Sequence, residues 1–285
     1  MSVDHYENFP VASVLLPRRL RLPVSHIYRF ARTADDIADE GELLASERLR
    51  LLEQYEESLQ NIQHGLPITL DSPHYAVFAP LAQVIQDYSL PLRPFHDLLS
   101  AFKQDVAVQR YPDMTALLNY CQRSADPVGR LMLHLYGKHD AELLAQADAI
   151  CTGLQLTNFW QDIAIDWYKG RVYIPQELLS QYGLSDEYLA QRCQRLRQPA
   201  TDAQWLELMS KLVQDARERL KSGLPLCRAL PGRIGLELKL IVLGGLRILE
   251  RLDQVAYDVF SRRPTLGKSD WLLLVWRSLR PYSFI

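Results

Sequence analysis

Between Gln155 and Asp166 the chain sets polar side chains into an otherwise apolar run, and no other stretch limits the possible folds so strongly. Asn158, Asp162 and Asp166 recur every four residues, so on an α-helix they stack along one face, while Leu154, Leu156, Phe159, Ile163 and Ile165 cover much of the remainder. Two like charges one turn apart disfavour an isolated helix by roughly 0.2 to 0.5 kcal/mol, and burying either carboxylate unpaired costs several times more. Such a row calls for a cation. Carboxylate and amide oxygens are hard ligands, and a short open row of them suits Mg²⁺, which keeps waters and takes further oxygens from a phosphate.

A second row answers the first. From Ile27 to Glu40 the pattern is again helical, with Asp35 and Asp39 one turn apart and Arg32 a turn earlier. A lone pair of acids at this spacing is commonly a solvated helix face. Two such rows in apolar helices, each near an arginine (Arg32, Arg171), have the composition needed to hold metal ions and a diphosphate between them.

A chain of 285 residues with 48% hydrophobic and 23% charged residues can bury a sizeable core. Its net charge of −2 and dispersed Lys and Arg speak against a nucleic-acid partner. Cys121, Cys151, Cys193 and Cys227 lie far apart, with neither metal-ligand nor disulfide-framework spacing, which points to free thiols in a reducing, cytoplasmic setting. The first residues lack a basic and apolar signal pattern, and no run reaches the roughly 18 apolar residues needed to span a bilayer. Trp271 to Trp276, with Arg277 and Arg280 behind it, is too short to cross a membrane. Packing into the core is the simpler expectation for it, and peripheral contact with the inner face of the cell membrane the other.

Periodicity predicts helices nearly throughout and no alternating strand pattern. A short helix is expected over Val11 to Leu16, and one starting at Pro23 and running to about Asp39. Others are expected over Ser46 to Gln63, Leu81 to Tyr88, Arg93 to Val108 and Met114 to Arg123. Ser124 to Gly129 should interrupt or bend the pattern before Arg130 to Tyr136. One long helix from Asp140 to Ile165 would carry the central row, and further helices span Gln176 to Ser180, Asp186 to Arg195, Thr201 to Ser222, Leu236 to Phe260 and Lys268 to Leu279. Nothing resembling a linker or repeat divides the chain, so one all-α domain over 1–285 is expected.

The order and spacing of these pieces resemble the squalene and phytoene synthase family along essentially the whole chain. The matching pieces are His5-x-x-Asn8-Phe9 with Leu15-Leu16-Pro17, Arg32-x-x-Asp35-Asp36-x-x-Asp39, the row Gln155-x-x-Asn158-x-x-x-Asp162-x-x-x-Asp166, and Gly170-Arg171-x-Tyr173-x-Pro175. The resemblance implies an isoprenoid synthase helical bundle around a central active-site cavity, with the two rows facing each other. It implies Mg²⁺, with Mn²⁺ as a substitute, held by Asp35, Asp39, Asn158, Asp162 and Asp166, and a catalytic set of the four aspartates with Tyr173. It further implies substrate diphosphate contacts at His5, Asn8, Arg32, Gln155, Asn158 and Arg171, and a C-terminal basic cluster of Arg262, Arg263 and Lys268. For that cluster a solvated helix end is the competing reading. Phe9, Tyr28, Phe30, Phe102 and Phe159 could wall an apolar cavity or simply pack the core.

Within the family, the start His5 to Ser13 and the block Arg32 to Glu40 are most similar to the bacterial branch that forms hydroxysqualene for hopanoid biosynthesis. Members that condense two prenyl diphosphates carry a Tyr-x-Val-Ala-Gly type of segment, whereas this chain has Arg123-Ser124-Ala125-Asp126-Pro127-Val128-Gly129. The departure fits an enzyme that takes up preformed presqualene diphosphate and captures its cation with water, Ser124 and Asp126 being the residues to direct that water. NADPH is then not expected. The partners implied are a presqualene diphosphate synthase and a squalene-forming oxidoreductase of the same pathway. Two readings stay open: a condensing presqualene diphosphate, squalene or phytoene synthase, and a non-catalytic scaffold that kept the fold.

Overall fold

The computed structural model describes residues 16–196 and 199–280. Among these residues it contains helices α1 (Arg18–Asp39), α2 (Ala45–Gln63), α3 (Tyr75–Tyr88), α4 (Arg93–Ala107), α5 (Met114–Ser124), α6 (Asp126–Leu135), α7 (Ala141–Gln161), α8 (Ile163–Tyr168), α9 (Gln176–Gln181), α10 (Asp186–Cys193), α11 (Pro199–Ser222), α12 (Pro225–Ala229), α13 (Gly232–Gln254) and α14 (Lys268–Ser278). The all-α expectation holds. The sole β feature among the described residues is an isolated bridge between Arg110 and Val172. It ties the α4–α5 connection to the segment after α8, and hydrogen bonds from Val172 N to Gln109 O and from Gln176 N to Tyr111 O extend it.

Apolar residues segregate into two cores. The first joins α1 to α4 with Leu131 and Leu135 of α6. Phe30 is its centre, with ring centroids 5.2 Å from Tyr55, 5.8 Å from Phe78 and 5.2 Å from Phe95. The Tyr55 hydroxyl, carried into this core, donates to Phe30 O at 3.1 Å, which removes the cost of burying it bare. The second core gathers α5, α7 and the later helices around Trp160, Trp205 and Leu220. Helix α1 packs on α2, α3 and α4, while α7 packs on α5, α6, α11, α12 and α13. The two acidic rows thus belong to different cores, with α4 and α6 bridging between them.

Several local expectations are corrected. Pro23 lies inside α1, not at its start, and Pro80 lies inside α3. A proline leaves the carbonyl four residues earlier without its helical donor. For Pro23 that carbonyl is Arg19 O, and the Tyr88 hydroxyl of α3 donates to it at 3.3 Å. The helix continues because a tertiary contact supplies a donor. The expected break at Ser124 to Gly129 narrows to Ala125, since Pro127 falls in the first turn of α6, where its missing N–H is harmless. The helix expected from Asp140 to Ile165 divides at Asp162, whose backbone (φ −107°, ψ 14°) leaves the helical region. The last long helix stops at Gln254, before left-handed Ala256 and Tyr257. The helix expected over Val11 to Leu16 lies mostly outside the described residues.

Gly235 lets α12 and α13 approach. A Cβ there would sit 2.4 Å from Cys227 O and 2.7 Å from Leu230 O, both backbone atoms that cannot swing away. Gly235→Ala is expected to lower the unfolding free energy by about 1 to 3 kcal/mol despite alanine's better helix propensity, as overpacking does. Urea unfolding measures it, and an alanine variant as stable as the parent would show that the helices can separate freely.

Candidate active site

Each row is held by an arginine from far along the chain. Arg171, just after α8, forms a two-pronged ion pair with Asp39 of α1: Nη1 donates to Oδ2 at 2.8 Å and Nη2 to Oδ1. Lys169 Nζ stands 3.8 Å from the same carboxylate. Arg263, in the connection from α13 to α14, grips Asp162 through Nε to Oδ1 at 2.5 Å and Nη2 to Oδ2 at 3.1 Å. Gln161, next to Asp162, donates to Pro264 O at 2.5 Å and fixes that connection. Arg32 folds along its own helix to Asp35 at 3.2 Å, Asp36 at 2.7 Å and Glu40 at 2.7 Å.

The remaining carboxylates are crowded. Burial first, and then Asp39, push the Asp35 carboxyl up to about 6. Burial and then Asp162 push Asp166 up to about 7, with Asp39 of the opposite row adding to the effect. Burial would raise Asp39, but the hydrogen bond and charge of Arg171, with the charges of Lys169 and Arg48, together hold it below its ordinary value. Arg171, five residues past Asp166, reaches Asp39 of the first row, and Asp39 acts on Asp166. The two rows therefore face each other as the sequence implied.

Asp105 of α4 joins this cluster and was not singled out as a site residue from the sequence. Burial carries its carboxyl up to about 7, and Arg171, Asp39 and Asp35 all act on it. A signal existed: Asp105 continues the apolar stripe of Phe95, Leu98 and Phe102 in phase, and an acid on a buried stripe needs a reason. Beneath the carboxylates lies an aromatic stack. Tyr173 is buried against Phe159 at 3.8 Å between centroids and 8° between planes, with Tyr111 and Tyr120 at 5.7 and 6.1 Å. Phe159, Asp166, Arg171 and Tyr173 share a narrow crevice. Of the other aromatics considered for a cavity wall, Phe30 packs the first core.

The other expected site residues are placed as follows. Gln155 is half-buried and Asn158 exposed on α7; Arg262 and Lys268 are exposed, so of the C-terminal basic cluster Arg263 alone is seen on a row. His5, Asn8 and Phe9 lie outside the described residues. Asp126 is buried at 2% exposure and accepts from the Thr152 hydroxyl at 2.8 Å. Its charged neighbours are Asp148, Arg130 and Arg219, none of them in the rows. The Ser124 hydroxyl is buried without a partner, and neither residue lines the crevice between Asp166 and Arg171.

Burial raises the Asp126 carboxyl to about 7. The folded protein holds a proton there that the unfolded chain releases near pH 4, so this contribution to stability is complete below about pH 4 and lost as pH rises through about 7. Asp126→Asn, which still accepts from Thr152, should remove that slope. Melting curves at pH 5 and pH 8 are expected to show the variant gaining on the parent at pH 8; an identical pH dependence in both would show that Asp126 ionises normally.

Oxygen donors on facing helices suit a hard divalent cation, yet among the described residues no group of three or more His, Cys, Asp or Glu side chains is gathered as a ready ligand set. A site for Mg²⁺ completed by waters and a substrate phosphate does not require one. The buried Asp166 Oδ2 has no hydrogen-bond partner, and the raised carboxyls of Asp35 and Asp166 mark a place short of positive charge. The residues present fit the cation.

A family profile described as squalene/phytoene synthase matches residues 3–270. The chain is 34% identical over 269 residues to the hydroxysqualene synthase of Rhodopseudomonas palustris, covering 94% of this chain and 86% of the relative. It is 37% identical over 218 residues to the hydroxysqualene synthase of Sinorhizobium fredii, covering 76% and 69%, and 26% identical over 276 residues to the phytoene synthase of Arthrospira platensis, covering 92% and 85%. The crystal structure of squalene synthase HpnC from Alicyclobacillus acidocaldarius superposes with a TM-score of 0.78 at 34% identity, over 89% of this chain and 90% of that one. A dehydrosqualene synthase at 21% identity, also with a TM-score of 0.78, shares the fold. With its paired acidic rows on facing helices, this chain belongs to the squalene/phytoene synthase family.

Proposed function

We propose that the protein is a hydroxysqualene synthase, a carbon–oxygen lyase of squalene and hopanoid biosynthesis that ionises presqualene diphosphate and captures the rearranged cation with water. The observation that carries this reading is Arg123. Where condensing relatives are implied to use an aromatic side chain, this guanidinium donates to Ser100 Oγ at 2.9 Å, Gln104 Oε1 at 2.5 Å and Asn119 Oδ1 at 3.2 Å. It lines an open hollow of about 480 Å³ with Tyr111 and supplies no phenol for a condensation. The identity to hydroxysqualene synthases supports the same choice.

In this reading the C–O bond breaks with its electron pair leaving on the diphosphate, the carbocation rearranges, a water oxygen bonds to it, and a proton departs. No reductant enters, so NADPH is not required. Asp35, Asp39, Asn158, Asp162 and Asp166 would hold Mg²⁺, which when bound supplies Lewis-acid neutralisation of the leaving diphosphate. Arg171, Arg263 and Arg32 donate charge-assisted hydrogen bonds, exchanging their present carboxylate partners for phosphate oxygens. Gln155, with His5 and Asn8 of the N-terminal segment, adds neutral contacts, and Arg262 and Lys268 add positive charge at the rim. The stack of Tyr173, Phe159, Tyr120 and Tyr111 shelters the cation, and its ring faces stabilise positive charge. Ser124 and Asp126, next to Arg123 in the chain, would direct the water only indirectly; an Asp126→Ala variant with unchanged product and rate would exclude that role.

The competing reading is a condensing, squalene-forming enzyme, favoured by the likeness to squalene synthase HpnC. Purified protein with Mg²⁺ is offered farnesyl diphosphate or presqualene diphosphate, each with and without NADPH, and the lipids are identified by mass spectrometry. Hydroxysqualene from presqualene diphosphate, indifferent to NADPH, is expected. Consumption of farnesyl diphosphate, or squalene that appears only with NADPH, would overturn the reading in favour of its competitor.

A further inference from the structure

Helix α14 turns an apolar face outward. Trp271, Leu272, Val275, Trp276 and Leu279 are 41, 75, 52, 52 and 78% exposed, and their spacing puts them on one side of the helix. The expectation that this run packs into the core is met only by Leu274, at 0% exposure, on the opposite side. Among the described residues the outer face stays open apart from Arg280 over Trp276, and it is larger than single exposed hydrophobics on a water-facing surface need be.

The helix is nonetheless held rigidly. Asp270, 1% exposed, accepts from Arg247 Nε at 2.6 Å, from Arg251 Nη2 at 2.9 Å and from Gly267 N at 2.8 Å. At the other end the buried Lys239 ammonium donates to Ser278 O at 2.8 Å and Arg280 O at 2.7 Å, the carbonyls that a helix C-terminus leaves open. Arg277 pairs with Glu250 at 2.6 Å. A frayed segment would not carry so many buried polar ties, so the outward face is presented, not left loose.

Charge selects the occupant. The one acid of α14 is the buried Asp270, whereas Lys268 and Arg280 are exposed at its two ends. Arg280 lies 4.1 Å over the Trp276 ring, and Leu236 of α13, the helix on which α14 packs, and Arg228 of α12 are exposed as well. Indole rings beside aliphatic side chains with cationic ends suit the boundary between acyl chains and anionic headgroups. No helix of the described residues is long and apolar enough to cross a membrane, so the contact lies on the surface.

We infer that the outer face of α14 docks this protein peripherally on an anionic lipid surface. Arg263, gripping Asp162, lies in the connection that leads into α14, so the docked helix is tied to the second acidic row. The inference stands on exposure and charge and does not depend on the reaction proposed above.

Sedimentation of the full chain with phosphatidylglycerol vesicles and with phosphatidylcholine vesicles tests it. Binding to the first, stronger than to the second and weakened by salt, is expected, with a blue shift of tryptophan emission. Leu272→Glu with Val275→Glu should lower binding at least about tenfold, since charge replaces the inserted groups, while circular dichroism and melting stay as in the parent. The inference would be overturned by no vesicle binding by the parent, by binding unaffected by the double substitution, or by a dimer in analytical ultracentrifugation that the same substitutions dissociate without any vesicle binding. Binding that appears only after residues 1–15 are removed would likewise overturn it, by making that segment the occupant.

Discussion

Arg171→Met is expected to lower kcat/KM in the proposed reaction of presqualene diphosphate about 100- to 1,000-fold, the loss typical of removing one preorganised donor from a site where charge develops. Asp39 keeps its negative charge because Arg171 holds both its oxygens, while Asp35, Asp105 and Asp166 around it are already raised by burial and mutual repulsion. Without the guanidinium these acids rise further, so the acid limb of the pH–rate profile should move to higher pH. Arg171→Lys keeps a charge but loses the two-pronged geometry, and should recover only part of the rate. A methionine variant within threefold of the parent, with an unshifted profile, would show that the pair is structural only.

The second large effect concerns stability. Asp270→Ala leaves Arg247 and Arg251 facing a buried space with no carboxylate and frees the start of α14, so the unfolding free energy should fall by about 3 to 5 kcal/mol. Burial would raise this carboxyl, but the Gly267 N–H and the two arginines hold it down at about 2. Its contribution is therefore present above about pH 4 and lost as pH falls through about 2. Denaturant titration of parent and variant at pH 7 and pH 3 reads both statements. A loss below about 1 kcal/mol at pH 7 would mean that α14 is anchored elsewhere.

Helix type and order are legible in this sequence because apolar periodicity is local, and the two acidic rows stand out because carboxylates at helical spacing on greasy helices are costly without a cation. What local pattern does not carry is which distant group answers a local need. Pro23 reads as a helix start until the Tyr88 hydroxyl is known to reach Arg19 O. Arg171 reads as a neighbour of the second row, but its side chain crosses to Asp39 of the first, and Arg263 takes Asp162. Asp105 was visible as an acid in phase with an apolar stripe, though its neighbours were not. The α14 segment has an apolar face in sequence; whether protein covers it depends on helices far away in the chain.

The proposed reaction requires the facing rows to bind diphosphate through a divalent cation. Isothermal titration of the protein with inorganic diphosphate, with and without Mg²⁺, tests this most directly when repeated on Asp39→Asn and Asp166→Asn. Binding that requires Mg²⁺ in the parent and is lost in both variants is the expected result. Diphosphate binding of equal strength without the cation, or binding that survives both substitutions, would show that the rows are not the diphosphate site.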